Sequence, residues 1–171
     1  TGERHESAHQ HVSGRAIYID DMAESADTLH GYFGLSTTAK GTLKTLNVEA
    51  IRSAPGVVDV LTYDDLPGSK FNNPTGKLDE PYLADSEIEF YGQPLFFVVA
   101  TTREAARRAS QLATIDVAED EPALSIGQAE AADYPYVTEP LALSIGDAAS
   151  ALNGAKNRIS GEMLIGGQDH F

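Results

Sequence analysis

The fold of this chain is decided by residues 95–118, which read LFFVVATTREAARRASQLATIDVA. The first six residues are continuously apolar, as expected of a strand that is buried on both faces. Thr101 and Glu104 have the spacing of a helix capping box, and a helix is predicted over residues 102–113. Residues 114–118 then alternate as a second strand. Strand, helix and strand within two dozen residues indicate an α/β unit.

The predicted helix has one apolar stripe and one charged face. Ala105, Ala109 and Leu112 fall on the stripe and are expected to face the core. Glu104 stands four residues before Arg108, a spacing that favours an ion pair on the helix surface.

Further short elements are predicted on both sides of this unit. Residues 69–86 form a long loop between them, and loops of this length are often functional. Asn47 is placed to cap a short helix that runs through Arg52. Other strands are predicted over residues 15–19, 29–36, 43–48, 57–62, 87–91 and 158–165. The chain is thus expected to contain an extended segment at 1–14, a core domain at 15–122, and a connector with a final strand at 123–171.

The composition excludes several classes of partner and site. The formal net charge of −14 argues against nucleic acid and against an anionic membrane surface. The absence of cysteine excludes disulfides and cysteine-ligated zinc or iron–sulfur centres within this chain. No apolar run reaches the roughly 18 residues that span a bilayer, so a cytoplasmic protein is expected. No Lys or Arg stands between Arg108 and Lys156, a stretch that is either a solvated acidic face or a surface for a basic partner.

Residues 166–171, GGQDHF, are the strongest candidate for part of a site. Gly166 and Gly167 allow a backbone to approach a cofactor closely, although a bulge or turn would use the same residues. Gln168 is either a site amide or an ordinary amide at the end of a strand. Such residues suit the wall of a site better than a terminus, so the chain is expected to be a piece of a longer polypeptide.

Other polar groupings have simpler explanations. The histidines at 5, 9 and 11 do not have the spacing of a recognised metal ligand set. The acidic pairs Asp20-Asp21 and Asp64-Asp65 follow predicted strands, where Asp commonly makes local hydrogen bonds in turns. The sequence contains neither a G-x-S-x-G nucleophile elbow nor a G-x-G-x-x-G dinucleotide motif.

Eight short segments together resemble the xanthine dehydrogenase and aldehyde oxidase family, in the N-terminal part of the molybdenum-binding subunit of bacterial xanthine dehydrogenase. They occur in the family's order, at near-family spacing, over almost the whole chain. The family often has Glu where Arg15 and Asp169 stand. The segments are HESA (5–8), HVSGRAIYIDD (11–21), TLH (28–30), APGVV (54–58), DDLPG (64–68), DEP (79–81), YGQP (91–94) and GGQDHF (166–171).

The resemblance implies an α/β (α+β) fold: an α/β hammerhead domain with a mixed sheet and short helices, followed by the start of a molybdopterin-binding domain. Such enzymes hydroxylate purines or aldehydes with oxygen from water, and their molybdenum cofactor carries the chemistry. Electrons leave through iron–sulfur clusters and FAD in other domains or in a partner subunit. In the family, the glutamine that corresponds to Gln168 approaches an oxo ligand of the molybdenum, and Gly166 and Gly167 adjoin it.

The resemblance also places the catalytic carboxylate and the substrate-binding residues beyond Phe171. The chain is therefore expected to be a catalytically inactive part of a xanthine dehydrogenase, with no cofactor bound to it alone. Its expected partners are the remaining molybdopterin-binding domains, the iron–sulfur/FAD subunit and, in the parent, a purine or aldehyde substrate. Two alternatives stay open: an aldehyde oxidase of the same family, and a non-catalytic assembly module that contacts other subunits through residues 69–86 and 116–147.

Overall fold

The computed structural model describes residues 2–3, 5–74, 76, 78–136 and 138–167. The chain divides into two compact units, Thr1–Pro122 and Ala123–Phe171, here called the N-terminal and C-terminal units.

The strands of the described residues all lie in the N-terminal unit. Most are short, and β7 lies at the centre of its sheet because its residues are apolar on both sides. The strands are β1 (His30–Leu35), β2 (Gly41–Asn47), β3 (Val57–Leu61), β4 (Phe71–Asn72), β5 (Glu80–Pro81), β6 (Glu87–Ile88), β7 (Pro94–Ala100) and β8 (Thr114–Glu119).

The helices are short and lie in both units. The α-helices are α1 (Ala8–Ser13), α2 (Glu49–Arg52), α3 (Arg103–Ser110), α4 (Ile126–Ala131) and α5 (Ala148–Gly154), and single 3-10 turns occupy Ile19–Asp21 and Tyr63–Asp65.

The described strands form three small sheets. Sheet A has the order β1-β7-β3, sheet B has the order β6-β2-β8, and β4 pairs with β5. The α/β class is confirmed. The expected mixed sheet is corrected, because every pairing between the described strands is antiparallel. The reason is topological. The connections that lead from β1 and from β3 to β7 reverse the direction of the chain, so β7 runs antiparallel to both neighbours.

A single apolar cluster fills the space between sheet A, sheet B and helices α2 and α3. Phe96, Val98 and Ala100 of β7 are at most 1% exposed and lie at its centre. Sheet B contributes the buried Ile88 and the partly buried Leu43. The remaining members of the cluster are Val48, Ile51, Val60, Ala84, Leu95, Ala106 and Ala109.

Helix α3 begins one residue later than the capping box predicts. Thr102 is the N-cap, and its Oγ1 accepts a hydrogen bond of 3.1 Å from the Ala105 N–H. Ala109 is buried as predicted, but Ala106 is the alanine buried beside it. Leu112 is half-exposed, because the helix ends before it reaches that residue.

The predicted ion pair of Glu104 is confirmed and has two partners. Glu104 accepts hydrogen bonds from Arg107 Nε at 2.9 Å and from Arg108 Nε at 2.6 Å. These bonds from Arg107 and Arg108 hold the pKa of the Glu104 carboxyl at about 2, below the ordinary 4.5. The stabilisation is therefore complete above pH 4.5 and is lost as the pH falls towards 2.

We expect the substitution Glu104→Gln to lower the melting temperature of the 171-residue chain slightly at pH 7, and by progressively less as the pH falls from 4.5 towards 2. All three side chains are at least half-exposed, so 0.5 M salt should shrink the difference at pH 7. Thermal unfolding followed by circular dichroism at pH 7, 4 and 2.5 measures it. A difference that stays constant across this range would show that Glu104 acts through helix propensity and not through its charge.

Three elements predicted near the ends of the chain do not form as predicted. Residues 1–14 contain helix α1 instead of an extended segment, and Gly14 ends this helix with φ of 70°, which suits glycine. Residues 15–19 make no strand, and the last of them, Ile19, begins the 3-10 turn Ile19–Asp21. Residues 158–165 also form no strand, because none of the described residues pairs with them. An apolar alternation predicts a strand, but the strand forms only beside a neighbour.

Candidate functional site

The two glycines of the candidate site lie in irregular, exposed chain. A Cβ atom added at Gly166 or at Gly167 would meet no heavy atom within 4 Å apart from its chain neighbours. The described residues therefore leave open space beside this backbone. Gln168, the third predicted site residue, lies outside the described residues, and so do Asp169, His170 and Phe171.

The segment that leads to these glycines presents apolar side chains to solvent. Ile159 and Leu164 are fully exposed, and Met163 and Ile165 are each 79% exposed. Single exposed apolar residues are common, but here four fall within the seven residues 159–165. The stretch has the composition of a strand but pairs with no strand of the described residues.

A second exposed apolar stretch, residues 141–145, is not among the strands predicted from the sequence. Leu141, Leu143 and Ile145 alternate with Ala142 and Ser144, and the three large side chains are at least 88% exposed. The alternation of period two was the available signal. Pro140 and Gly146 flank it and favour an irregular connector, which hid the pattern.

The long loop 69–86 is ordered by the β4–β5 pairing and borders an open groove of about 450 Å³. Buried Gln93 lines it, and the Gln93 Oε1 accepts a hydrogen bond of 2.7 Å from the Glu89 N–H. Asp79 and Glu80 also line it. Within the described part of the chain, no three His, Cys, Asp or Glu side chains are grouped in a way that would hold a metal ion.

A second groove, of about 520 Å³, lies between helix α3 and strand β1. Glu24 forms an ion pair with Arg103 of α3, and its other carboxylate oxygen lies 3.8 Å from the His30 Nε2. Arg107 also lines this groove. The arrangement fixes the chain before β1 onto the helix, which is a structural function.

The two acidic pairs make local hydrogen bonds, as predicted. The Asp21 carboxylate accepts from the Tyr18 N–H at 3.1 Å. The Asp65 carboxylate accepts from both the N–H and the hydroxyl of Thr62, each at 2.8 Å. These two bonds lower the pKa of Asp65. Both pairs therefore stabilise single turns and are not arranged for proton transfer.

No helix of the described residues is long and apolar enough to cross a bilayer.

Comparison with known proteins identifies the fold and the family of the chain. The family description "Aldehyde oxidase and xanthine dehydrogenase, a/b hammerhead domain" matches residues 13–121. Xanthine dehydrogenase/oxidase of Felis catus is 36% identical over 98% of this chain. Aldehyde oxidase 1 of Bos taurus is 32% identical over the same share. The chain spans 12% of the length of both relatives.

A solved structure gives the same result. The aldehyde oxidoreductase of Desulfovibrio desulfuricans superposes with a TM-score of 0.68 at 29% identity, and the match covers 75% of this chain and 15% of that protein. A TM-score of this size over 75% of the chain shows the same fold, in agreement with the matched sequence. The chain belongs to the aldehyde oxidase and xanthine dehydrogenase family and contains its a/b hammerhead domain.

Proposed function

We propose that this chain is the hammerhead part of a molybdenum hydroxylase of the xanthine dehydrogenase type, which oxidises hypoxanthine and xanthine with water as the source of oxygen. One observation carries the proposal: the match to a xanthine dehydrogenase/oxidase extends over 98% of the chain. It therefore continues beyond the hammerhead domain and includes most of the C-terminal unit. We also propose the division into residues 15–122 as hammerhead and 123–171 as the opening of the molybdopterin-binding region.

The described residues are compatible with a cofactor close to residues 166–168. The open space beside Gly166 and Gly167 allows a cofactor group to contact the backbone directly. Side chains at these two positions would narrow that space. Gln168 carries an amide that donates N–H groups, and such a donor orients an oxygen ligand of a metal. Bound molybdopterin would supply the molybdenum that accepts electrons from the substrate. This chain would supply one hydrogen-bond donor, the Gln168 amide, and a backbone at Gly166 and Gly167 that the cofactor can approach closely.

The chain by itself is proposed to be inactive. Its partners would be the remaining molybdopterin-binding domains and the domains or subunit that hold the iron–sulfur clusters and FAD, since the chain has no cysteine for a cluster. The exposed apolar stretches at 141–145 and 159–165 support contact with such partners. We also propose that the parent protein is cytoplasmic.

The experiment that tests this proposal uses the full-length parent, purified with its partner subunit if it has one. Molybdenum content is measured by mass spectrometry, and turnover is measured with xanthine, hypoxanthine and an aromatic aldehyde. We expect stoichiometric molybdenum and preference for the purines. A parent without molybdenum would overturn the proposal.

Aldehyde oxidation is the second candidate function, because the bovine aldehyde oxidase is nearly as similar as the feline enzyme. Turnover of the aldehyde without turnover of either purine would select it. Both candidates share the cofactor and the fold.

We expect the substitution Gln168→Ala to lower kcat of the parent by about 10-fold, within the 10–100-fold range that is usual for residues that orient a metal's ligands. Folding and molybdenum content should stay close to those of the wild type, because the amide positions a ligand and does not bind the metal. Gln168→Glu is the matched control for side-chain length. Unchanged turnover of a molybdenum-replete Gln168→Ala enzyme would contradict the proposed role.

A further inference from the structure

The two main sheets of the N-terminal unit differ in the chemistry of their outward faces. In sheet B, Leu43 pairs with Val117 on the core side, and the opposite side carries polar residues. This outward side consists of Thr42, Thr45, Asn47, Thr114, Asp116 and Ala118. An antiparallel sheet with one face in water has this pattern.

Sheet A has an apolar outward face. Phe96, Val98 and Ala100 point into the core, so the alternate residues Phe97 and Val99 point outward. Phe33 and Leu61 are the direct neighbours of Phe97 in β1 and β3 and share its face. The outward face is defined by Gly31, Phe33, Leu35, Asp59, Leu61, Phe97 and Val99, and is here called the Phe97 face.

The Phe97 face is organised around one aromatic pair. The rings of Phe33 and Phe97 are 4.7 Å apart at 53°. The Phe97 ring also covers Gly31, where an added Cβ would lie 2.0 Å from Cζ. Phe33 is nonetheless 49% exposed and Leu35 is 48% exposed. The helices α2 and α3 pack on the other side of the sheet, against the core cluster.

The charge on this face stands at its edge and is paired with Arg52, which also lies near Glu49 and Asp65. Asp59 lies opposite Val99, and its Oδ1 accepts a bond of 3.4 Å from the Arg52 Nη1. An apolar centre with paired charges at the rim is the usual anatomy of a protein interface.

We propose that the Phe97 face is a docking surface for an apolar patch on another domain of the same parent polypeptide, which rests on the proposed function. The length of the relatives supports this occupant, since the matched region is 12% of each. The size of the face supports it as well. Its five apolar side chains expose on the order of 300 Å², below the roughly 800 Å² per partner of a stable free complex. A tethered domain needs less area, because its effective concentration is already high.

The test is hydroxyl-radical footprinting of the full-length parent, with the reaction of Phe33 compared between native and urea-unfolded enzyme. Docking predicts at least 10-fold protection of Phe33, whereas its 49% exposure in the chain alone predicts about 2-fold. Protection of about 2-fold in the parent would overturn the proposal. Strong protection of Phe33 in the 171-residue chain alone would also overturn the proposal. If that protection rises with protein concentration, the occupant is a second copy of the chain. If it does not change with concentration, the occupant is the chain's own C-terminal unit.

A pair of matched substitutions provides the second measurement. Phe33→Lys places a charge on the Phe97 face, and Thr45→Lys places the same charge on the polar face of sheet B. In the parent we expect Phe33→Lys to raise the labelling of Phe97 at least 3-fold and Thr45→Lys to leave it unchanged. Equal labelling in the two variants would refute the docking surface. Footprinting needs neither turnover nor molybdenum, so a failure of the proposed function is distinguishable from a failure of the docking surface.

Discussion

The substitution Phe96→Ala is expected to lower the free energy of unfolding of the 171-residue chain by about 3–5 kcal/mol. Phe96 is 1% exposed and lies at the centre of the core cluster. Removing its ring takes away the largest fully buried side chain and leaves a cavity that the neighbouring strands cannot close. A loss of this size is a large fraction of the 5–15 kcal/mol that stabilise a typical domain.

Urea unfolding followed by far-ultraviolet circular dichroism measures this loss as a shift of the midpoint at unchanged slope. Phe90→Ala is the matched control, because it removes the same ring from a side chain that is 53% exposed. Its expected loss is below about 1.5 kcal/mol. Similar losses for the two variants would mean that the cluster around Phe96 does not carry the stability of the N-terminal unit.

The part of the fold that sequence could predict is the part with a local cause. The continuous apolar run of β7, the buried Ala109 and the pairing of Glu104 with Arg108 all follow from patterns within a few residues. The start of α3 differed by one residue, because Thr101 and Thr102 are both good caps and only Thr102 is used. Ala106 is fully buried beside Ala109, and the predicted Ala105 packs partly buried against the same cluster.

The parts that could not be predicted depend on distant partners. Residues 158–165 alternate like a strand, yet a strand needs a neighbour that the described residues do not provide. The apolar outward face of sheet A likewise appears only when β1, β3 and β7 are placed side by side. For the candidate site, the residues alone left Gln168 as either a site amide or an ordinary amide at the end of a strand. Its role beside the molybdenum came from the resemblance and stays a prediction.

The close contact between Gly34 and Phe96 was also invisible in the sequence, and it leads to the second large effect. A Cβ atom at Gly34 would lie 2.0 Å from the Phe96 Cζ and within 2.4 Å of both adjacent Cε atoms. The ring is buried and has no open space to enter, so either β1 or the ring must move. We expect Gly34→Ala to lower the free energy of unfolding by about 3 kcal/mol, at the upper end for an overpacked core.

Two other glycines make the test specific. Gly31 has the same geometric conflict, with the Phe97 Cζ at 2.0 Å, but Phe97 is only partly buried and its ring can turn into solvent. Gly31→Ala should therefore cost less than half as much in this chain. Gly127 in α4 has nothing within 4 Å, and Gly127→Ala should be neutral or stabilise the helix by up to about 1 kcal/mol.

The double variant decides whether the ring is the cause. In a Phe96→Ala background the added Cβ at Gly34 meets no ring, so Gly34→Ala should then have almost no further effect. The coupling energy between the two sites should be about 2–3 kcal/mol, at the top of the range for residues in contact. If Gly34→Ala lowers stability by the same amount in both backgrounds, the conflict lies in the backbone of β1. Glycine at this position would then be required by the strand itself and not by the aromatic ring that packs on it.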